Sequence, residues 1–328
     1  MDRIPRFRPV RRSVLGSLAG LACAAPLSGV VAQETWPSRP IRLVIPYPPG
    51  GTTDIVGRTL AEQLTRELGQ TVLVDNRPGG GTNIGAEAVA TAKPDGYTLF
   101  FAGITQVTNP TFGPTPPFDT LKAFEPVGLI ATAPFMIAIN PKTPVTDVHD
   151  LVAKARARPD SLTVSSAQLD IFVELLNARA GMKLLHVPYK GGAAAATDAI
   201  GGQVSMVFAQ VPALLGHLQS GRLKPIAVSS AKRFPALPDL PTFSEAGIDY
   251  DVNPWFGLLA PAGTPRAAIE RTTQAMARAI ASAEMSQKIR SAGAEPGYAP
   301  PDEFAAVLRR DTAFWAQVGK ALPHLIQK

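Results

Sequence analysis

The chain has 328 residues, 45% of them hydrophobic and 18% charged, which suggests about two domains at ~150 residues each and excludes disorder as a global description. Its 32 Lys+Arg against 26 Asp+Glu leave a net charge of +6, a sign that can accompany nucleic-acid or anionic-membrane binding. The distribution argues against that use: Arg3, Arg6, Arg8, Arg11, Arg12 and the single acid Asp2 lie in residues 1–32, and the remaining 27 basic and 25 acidic residues form no basic block.

Residues 1–12 hold the arginines, 14–22 are a short apolar stretch, and Val30-Val31-Ala32 fits a small-residue cleavage site. Residues 1–32 therefore read as a signal peptide, too short in its apolar part to span a membrane. Arg11-Arg12 resembles a twin-arginine export signal, but Ser13-Val14-Leu15-Gly16 lacks the usual aromatic, so the twin-arginine and general secretory routes both stand. Cys23 is the only cysteine, which excludes an intrachain disulfide and a cysteine-based zinc site. Gly20-Leu21-Ala22-Cys23 loosely resembles a lipoprotein box, with Gly20 where Leu is usual; the plainer reading is a small apolar residue within the leader. On either reading the mature protein is periplasmic. No later apolar run is long enough to cross a membrane.

Strand and helix then alternate. Residues 41–45 read as a strand, 54–68 as a helix, 72–74 as a strand, 84–92 as a helix and 97–102 as a strand, an order that implies a parallel sheet with crossover helices. The proline-bearing stretch 105–120 reads as an irregular crossing. Strands at 127–130 and 135–139 follow, then helix 147–157 capped by Asp147 and strand 162–165. Helix 171–180, strand 184–187, helix 193–200, strand 204–208, helix 213–218 and strand 223–228 complete the central block. A further strand ends near Leu258-Leu259, and the tail is helical over 266–282, 283–291 and 302–320. Two α/β blocks with a return of the chain to the first predict a two-domain clamshell. Residues 33–131 plus 254–328 form one domain and 132–253 the other.

Three glycine loops follow strands and open helices. Gly50-Gly51-Thr52-Thr53-Asp54 offers backbone N–H groups, threonine hydroxyls and the positive end of a helix dipole to an anion. Asp54 reads more readily as the N-cap of that helix than as a ligand residue. Gly191-Gly192 repeats the arrangement after Val187-Pro188-Tyr189, with Lys190 either adding a charge or simply solvated. In the third loop, Asn76 to Asn83, Gly79 and Gly81 are spaced for a dinucleotide site, but Ile84 holds the third position; no P-loop Lys-Ser/Thr is present. Asn83 reads equally as a cap or a cleft residue. Catalytic patterns are missing: there is no Gly-x-Ser-x-Gly, and His149, His186, His217 and His324 have no metal-ligand spacing. No basic-aromatic platform for nucleic acid occurs.

The order of several phrases resembles a known family. Trp36-Pro37-Ser38-Arg39-Pro40-Ile41, Pro46-Tyr47-Pro48-Pro49-Gly50-Gly51-Thr52-Thr53-Asp54, Asn76-Arg77-Pro78-Gly79-Gly80-Gly81-Thr82-Asn83, Pro94-Asp95-Gly96-Tyr97, Val187-Pro188-Tyr189-Lys190-Gly191-Gly192 and Ala260-Pro261-Ala262-Gly263-Thr264-Pro265 are similar to those of Bug-type extracytoplasmic solute-binding receptors. These are the periplasmic components associated with tripartite tricarboxylate transporters, and the similarity runs through the whole mature chain. The resemblance implies a type II periplasmic binding fold, α/β, with two domains around a ligand cleft. It implies binding of a small carboxylate without cofactor, metal or catalysis, by a monomer that delivers to membrane permease subunits or a sensor kinase ectodomain. The ligand loops it implies here hold Tyr47, Gly50, Gly51, Thr52, Thr53, Asn83, Ser165, Ser166, Tyr189, Lys190, Gly191 and Gly192. The chain departs from the pattern in two places. Its loop after Ser165-Ser166 is short and lacks glycine, with Asp170 where the family carries His; Asp170 either caps its helix or repels a second carboxylate. Gln210 stands beyond a strand where Asp is usual, and joins the candidate ligand residues as a partner for a neutral polar group. An exported enzyme on the same scaffold is the alternative reading.

Overall fold

The computed structural model describes residues 36–50, 52–167, 170–189 and 191–326. The leader reading, with Arg11-Arg12 and Cys23, lies outside them, as do Gly51 and Lys190. No described helix is long and apolar enough to cross a membrane.

The first segment runs β1 (Ile41–Ile45), α1 (Thr52–Leu68), β2 (Val72–Asn76), α2 (Asn83–Ala90), β3 (Thr98–Gly103), α3 (Thr105–Phe112) and β4 (Phe124–Thr132). The middle segment runs β5 (Phe135–Ile139), α4 (Val148–Ala157), β6 (Thr163–Ala167), α5 (Asp170–Ala180), β7 (Leu185–Tyr189), α6 (Gly192–Gly201), β8 (Met206–Gln210), α7 (Val211–Gln219) and β9 (Lys224–Val228). The chain then returns as β10 (Trp255–Pro261), α8 (Arg266–Ala281), α9 (Ala283–Ser291), β11 (Glu295–Ala299) and α10 (Pro301–Ala321).

The first and last segments build a six-stranded sheet in the order β11-β4-β10-β3-β1-β2, and the middle segment a five-stranded one in the order β7-β6-β8-β5-β9. Both have the same plan. The first strand of each α/β run is paired in parallel with its two successors, β1 with β2 and β3, and β6 with β7 and β8. A strand from elsewhere in the chain is then inserted antiparallel, β10 in the first sheet and β5 in the second. β1 is apolar apart from Arg42 because helices cover both faces of its sheet: Ile41, Leu43, Val44 and Ile45 are fully buried. In α1, Val56, Leu60, Leu64 and Leu68 recur at helical spacing and are buried against it. Each such side chain contributes about 1.5–3 kcal/mol.

Two crossings join the lobes side by side. The first is Ala133-Pro134, between β4 and β5; the second enters β10 from Pro254. Ala133 N–H donates to Pro254 O at 2.8 Å and Ser229 N–H to Phe135 O at 2.9 Å. Ser229 Oγ accepts from Phe135 N–H at 2.9 Å and donates to Val252 O. These bonds hold the crossings as a pair.

Three expectations change. The stretch from residue 105 contains a helix, α3, in spite of Pro110. Proline removes a donor near the helix end, while packing compensates: Phe112 meets Trp315 of α10 edge-on at 6.1 Å. β11 is an unforeseen strand; Pro296 and Gly297 disguise it, and a sheet edge is where proline is tolerated. Asp54 is no N-cap: it is the third residue of α1. Asp147 does cap α4, accepting from Asp150 N–H at 3.0 Å.

Candidate functional site

A cavity of about 830 Å³ opens between the two sheets, at the carboxyl ends of β1, β3, β6 and β8. This is where open parallel sheets generally bind ligands. The six-stranded lobe supplies Tyr47, Thr53, Thr82, Thr105 and Asn109, the five-stranded lobe Asp170, Phe172, Gly192 and Gln210, and the crossings Phe135, Pro254 and Trp255.

The loop after β1 is shaped by Asp54, which is 3% exposed. One carboxylate oxygen accepts from Gly50 N–H at 3.0 Å and Arg58 Nε at 2.9 Å, the other from Asn76 Nδ2 at 2.8 Å. Asn76 Nδ2 also donates to Tyr47 O at 3.0 Å, and its Oδ1 accepts from Arg58 Nη2 at 2.7 Å. Burial works to raise the Asp54 carboxyl, but hydrogen bonds from Arg58, Gly50 and Asn76 outweigh it and hold the group below its ordinary range. Gly50 takes φ +94°, which its missing Cβ permits. Its amide is engaged by Asp54, where the sequence reading offers it to an anion.

A ladder of neutral polar groups lines the same wall. Tyr47 Oη lies 2.9 Å from Thr105 Oγ1, Thr82 Oγ1 donates to Thr105 Oγ1 at 3.2 Å, and Asn109 Nδ2 reaches Asn83 Oδ1 at 3.2 Å and also bonds Gly81 O. Burial raises the Tyr47 hydroxyl pKa against the opposing Thr105 bond, so it stays a neutral donor or acceptor. Thr82 holds φ +83°, an outlier for a β-branched residue; such strain concentrates at functional sites.

Of the expected ligand residues, Tyr47, Thr53, Gly192 and Gln210 line the cavity. Gly50, Thr52, Asn83, Ser165, Ser166, Tyr189 and Gly191 are not among its lining residues. Asn83 is the first residue of α2, whose N-cap is Thr82; its side chain bonds two cavity-lining residues, Nδ2 donating to Pro114 O at 2.6 Å and Oδ1 accepting from Asn109. Ser165, in the middle of the sheet, is fully buried and donates to Ala195 O at 2.9 Å and Met206 O at 3.2 Å. Ser166, also fully buried, pairs with His186 Nε2 at 2.7 Å. Tyr189 Oη donates to Asp198 at 2.5 Å, and Gly191 is the N-cap of α6. Thr82, Thr105 and Asn109 were missed. Thr82 lies in the third glycine loop, and Thr105 and Asn109 in the proline-bearing stretch 105–120, where nothing local singles them out.

The remaining wall is aromatic. Phe135 and Phe172 meet at 4.7 Å, and Phe172 meets Trp315 edge-on at 5.2 Å. Trp255 Nε1 donates to Asp311 at 2.9 Å, fixing the indole beside the cavity. Asp170 opens α5 with its side chain half exposed, 3.6 Å from His186 Nδ1. Burial lowers the His186 pKa, against the pull of Asp170 and Glu174. Among the described residues no cluster of three or more His, Cys, Asp or Glu is placed to hold a metal.

The model of the tripartite tricarboxylate transporter family receptor matches residues 56–322. The chain belongs to that family. It is 33% identical to protein BugT of Bordetella pertussis over 301 residues, covering 90% of this chain and 92% of BugT. It is 35% identical to the UPF0065 protein in the tcbD-tcbE intergenic region of Pseudomonas sp. strain P51 over 309 residues, 92% of each chain. Among solved structures it is similar to R. palustris Rpa4515 with adipate, at 36% identity and a TM-score of 0.76, covering 87% of this chain and 97% of that one. The periplasmic binding protein BugD gives 32% identity, a TM-score of 0.74 and coverage of 87% and 98%. MatC from Rhodopseudomonas palustris, with bound malate, gives 27% identity, a TM-score of 0.73 and coverage of 86% and 99%. The fold of this family receptor is therefore the type II periplasmic binding fold, with two α/β domains around a cleft, and its family is one of solute-binding receptors.

Proposed function

We propose that this receptor captures a small organic carboxylate between its lobes, in the periplasm, and does no chemistry on it. The observation that carries the reading is the cavity itself: both lobes line it, and on the six-stranded lobe its polar groups are neutral hydroxyls and amides beside the N-terminus of α1, with Asp170 the one charged lining residue among those described, on the other lobe. Such groups bind a carboxylate through hydrogen bonds and the helix dipole, with no need for a buried cation. The adipate in Rpa4515 and the malate in MatC support this ligand class. Residues 33–131 plus 254–328 form one moving body and 132–253 the other, swinging about the paired crossings. Tyr47, Thr53, Thr82, Thr105, Gly192 and Gln210 contact the ligand. Closure is favoured only to the extent that ligand binds the closed form more tightly than the open one. The closed monomer then engages membrane permease subunits or a sensor kinase ectodomain. Export follows the leader, by the twin-arginine or the general secretory route.

The test is a panel of small organic acids on the ligand-stripped protein. A bound acid at a hundred times its Kd adds about 2.7 kcal/mol of stability, a shift readily read by thermal melting. Binding with the acid recovered unchanged by mass spectrometry supports the reading. A folded protein that binds none of them overturns the carboxylate assignment, and turnover of a bound acid favours the exported enzyme.

A further inference from the structure

We propose that Asp170 sets the ligand class of this cleft: a monocarboxylate with an apolar body whose far end is a hydrogen-bond donor, an amine above all, and not a second carboxylate. The inference rests on the carboxylate reading above. Among the described residues that line the cavity, Asp170 is the only one with a full charge. Among the described residues it pairs with His186, whose Nδ1 lies 3.6 Å away, longer than a hydrogen bond. Burial favours the neutral imidazole, so the histidine does not cancel the charge. Around Asp170 the wall is apolar: Ile171 and Phe172 follow it on α5, and Phe135 packs on Phe172 at 4.7 Å.

A ligand anchored by one carboxylate on the neutral ladder of the opposite lobe carries its body past these rings. A second carboxylate at the far end would meet a like charge beside an apolar wall, and closure of the lobes over the ligand would remove the solvent that screens the repulsion. An amine or hydroxyl there would instead donate to Asp170, a charge-assisted bond. Gln210, also on this side of the cavity, accepts or donates equally and adds no charge of its own.

The experiment is calorimetric titration of the ligand-stripped receptor with matched pairs: 4-aminobenzoate against terephthalate, and 5-aminopentanoate against adipate. In each pair the amine-bearing acid binds at least tenfold more tightly. Asp170→Asn, and independently Asp170→Ser, bring each pair to within about threefold, mainly by tightening the dicarboxylate. The half-exposed position lets both variants fold, which circular dichroism verifies. Equal or tighter binding of the dicarboxylates by wild type overturns the proposal, as does a preference unchanged by both Asp170 variants. If neither member of any pair binds and no other organic acid stabilises the folded protein, it is the carboxylate reading that fails, and the inference falls with it.

Discussion

Asp54→Ala removes the carboxylate that holds the loop after β1. In the native chain it is 3% exposed and accepts from Gly50 N–H, Asn76 Nδ2 and Arg58 Nε. Hydrogen bonds to a charged group are worth about 1.5–3 kcal/mol each. The bonds from Gly50 and Asn76 are both lost, and water partly re-solvates their donors. The Arg58 side chain is 51% exposed, so that ion pair adds at most ~1 kcal/mol. The expected loss is about 3–4 kcal/mol, or roughly 4–6 °C in Tm for a chain of this size. Asp54→Asn keeps one acceptor oxygen and the shape, and loses about half as much. Because the same network holds the Tyr47 carbonyl, ligand affinity falls together with stability. The native carboxyl sits below its ordinary pKa of 3.8. Its contribution is therefore complete above that value and disappears as pH falls through the lower folded one. Thermal denaturation of wild type and both variants between pH 7 and pH 2, with ligand titration at pH 7, measures all of this. A Tm for Asp54→Ala within 2 °C of wild type at pH 7, or a difference that persists unchanged into acid, would refute the reasoning.

Three further outcomes follow from the packing. Glu284 bridges α9 to α1 through Arg66 at 2.7 Å, and bonds with Lys288 and then Arg66 lower its carboxyl from 4.5 to about 2. The stability difference between wild type and Glu284→Gln is complete above pH 4.5 and disappears as pH falls towards 2; urea unfolding that shows a pH-independent difference contradicts this. Phe172→Ala removes a ring that is 5% exposed and packs on Phe135 and Trp315. It costs about 3–5 kcal/mol, weakens ligand binding and red-shifts the Trp315 emission, and unchanged fluorescence counts against the contact. Gly257→Ala places a Cβ 2.2 Å from Phe304 Cζ, whose ring is fully buried. The overpacking costs about 1–3 kcal/mol, seen as a lower Tm, with the preference among ligands left as in wild type.

The elements were legible where periodicity is strong. β5 and α9 fall on their expected bounds, and α1, α4 and α10 within two residues at either end, because apolar spacing and a cap such as Asp147 are local signals. α3 and β11 were illegible because their prolines argue locally against helix and strand, and only packing on α10 and pairing with β4 override that. The candidate site was half legible. Each of the three glycine loops brings residues to the cavity, Thr53, Gly79 and Gly192 among them, but which side chains within a loop reach it is not written in the local sequence. Tyr47 and Tyr189 stand in nearly the same phrase, Pro-Tyr ahead of paired glycines. One lines the cavity with its hydroxyl on Thr105, and the other is tied to Asp198.

The alternation of strand and helix, the two α/β blocks and the near-neutral charge of residues 33–328 follow from residue order alone, since each depends on residues close together along the chain or on simple counting. Which polar groups are spent and which remain for a ligand depends on contacts that form only when the sheets pack. Asp54 meets Asn76 across 22 residues, Ser166 meets His186 across 20, and Tyr47 meets Thr105 across 58. A buried polar group must find a partner, and the partner that reaches it is set by the packing of the sheets.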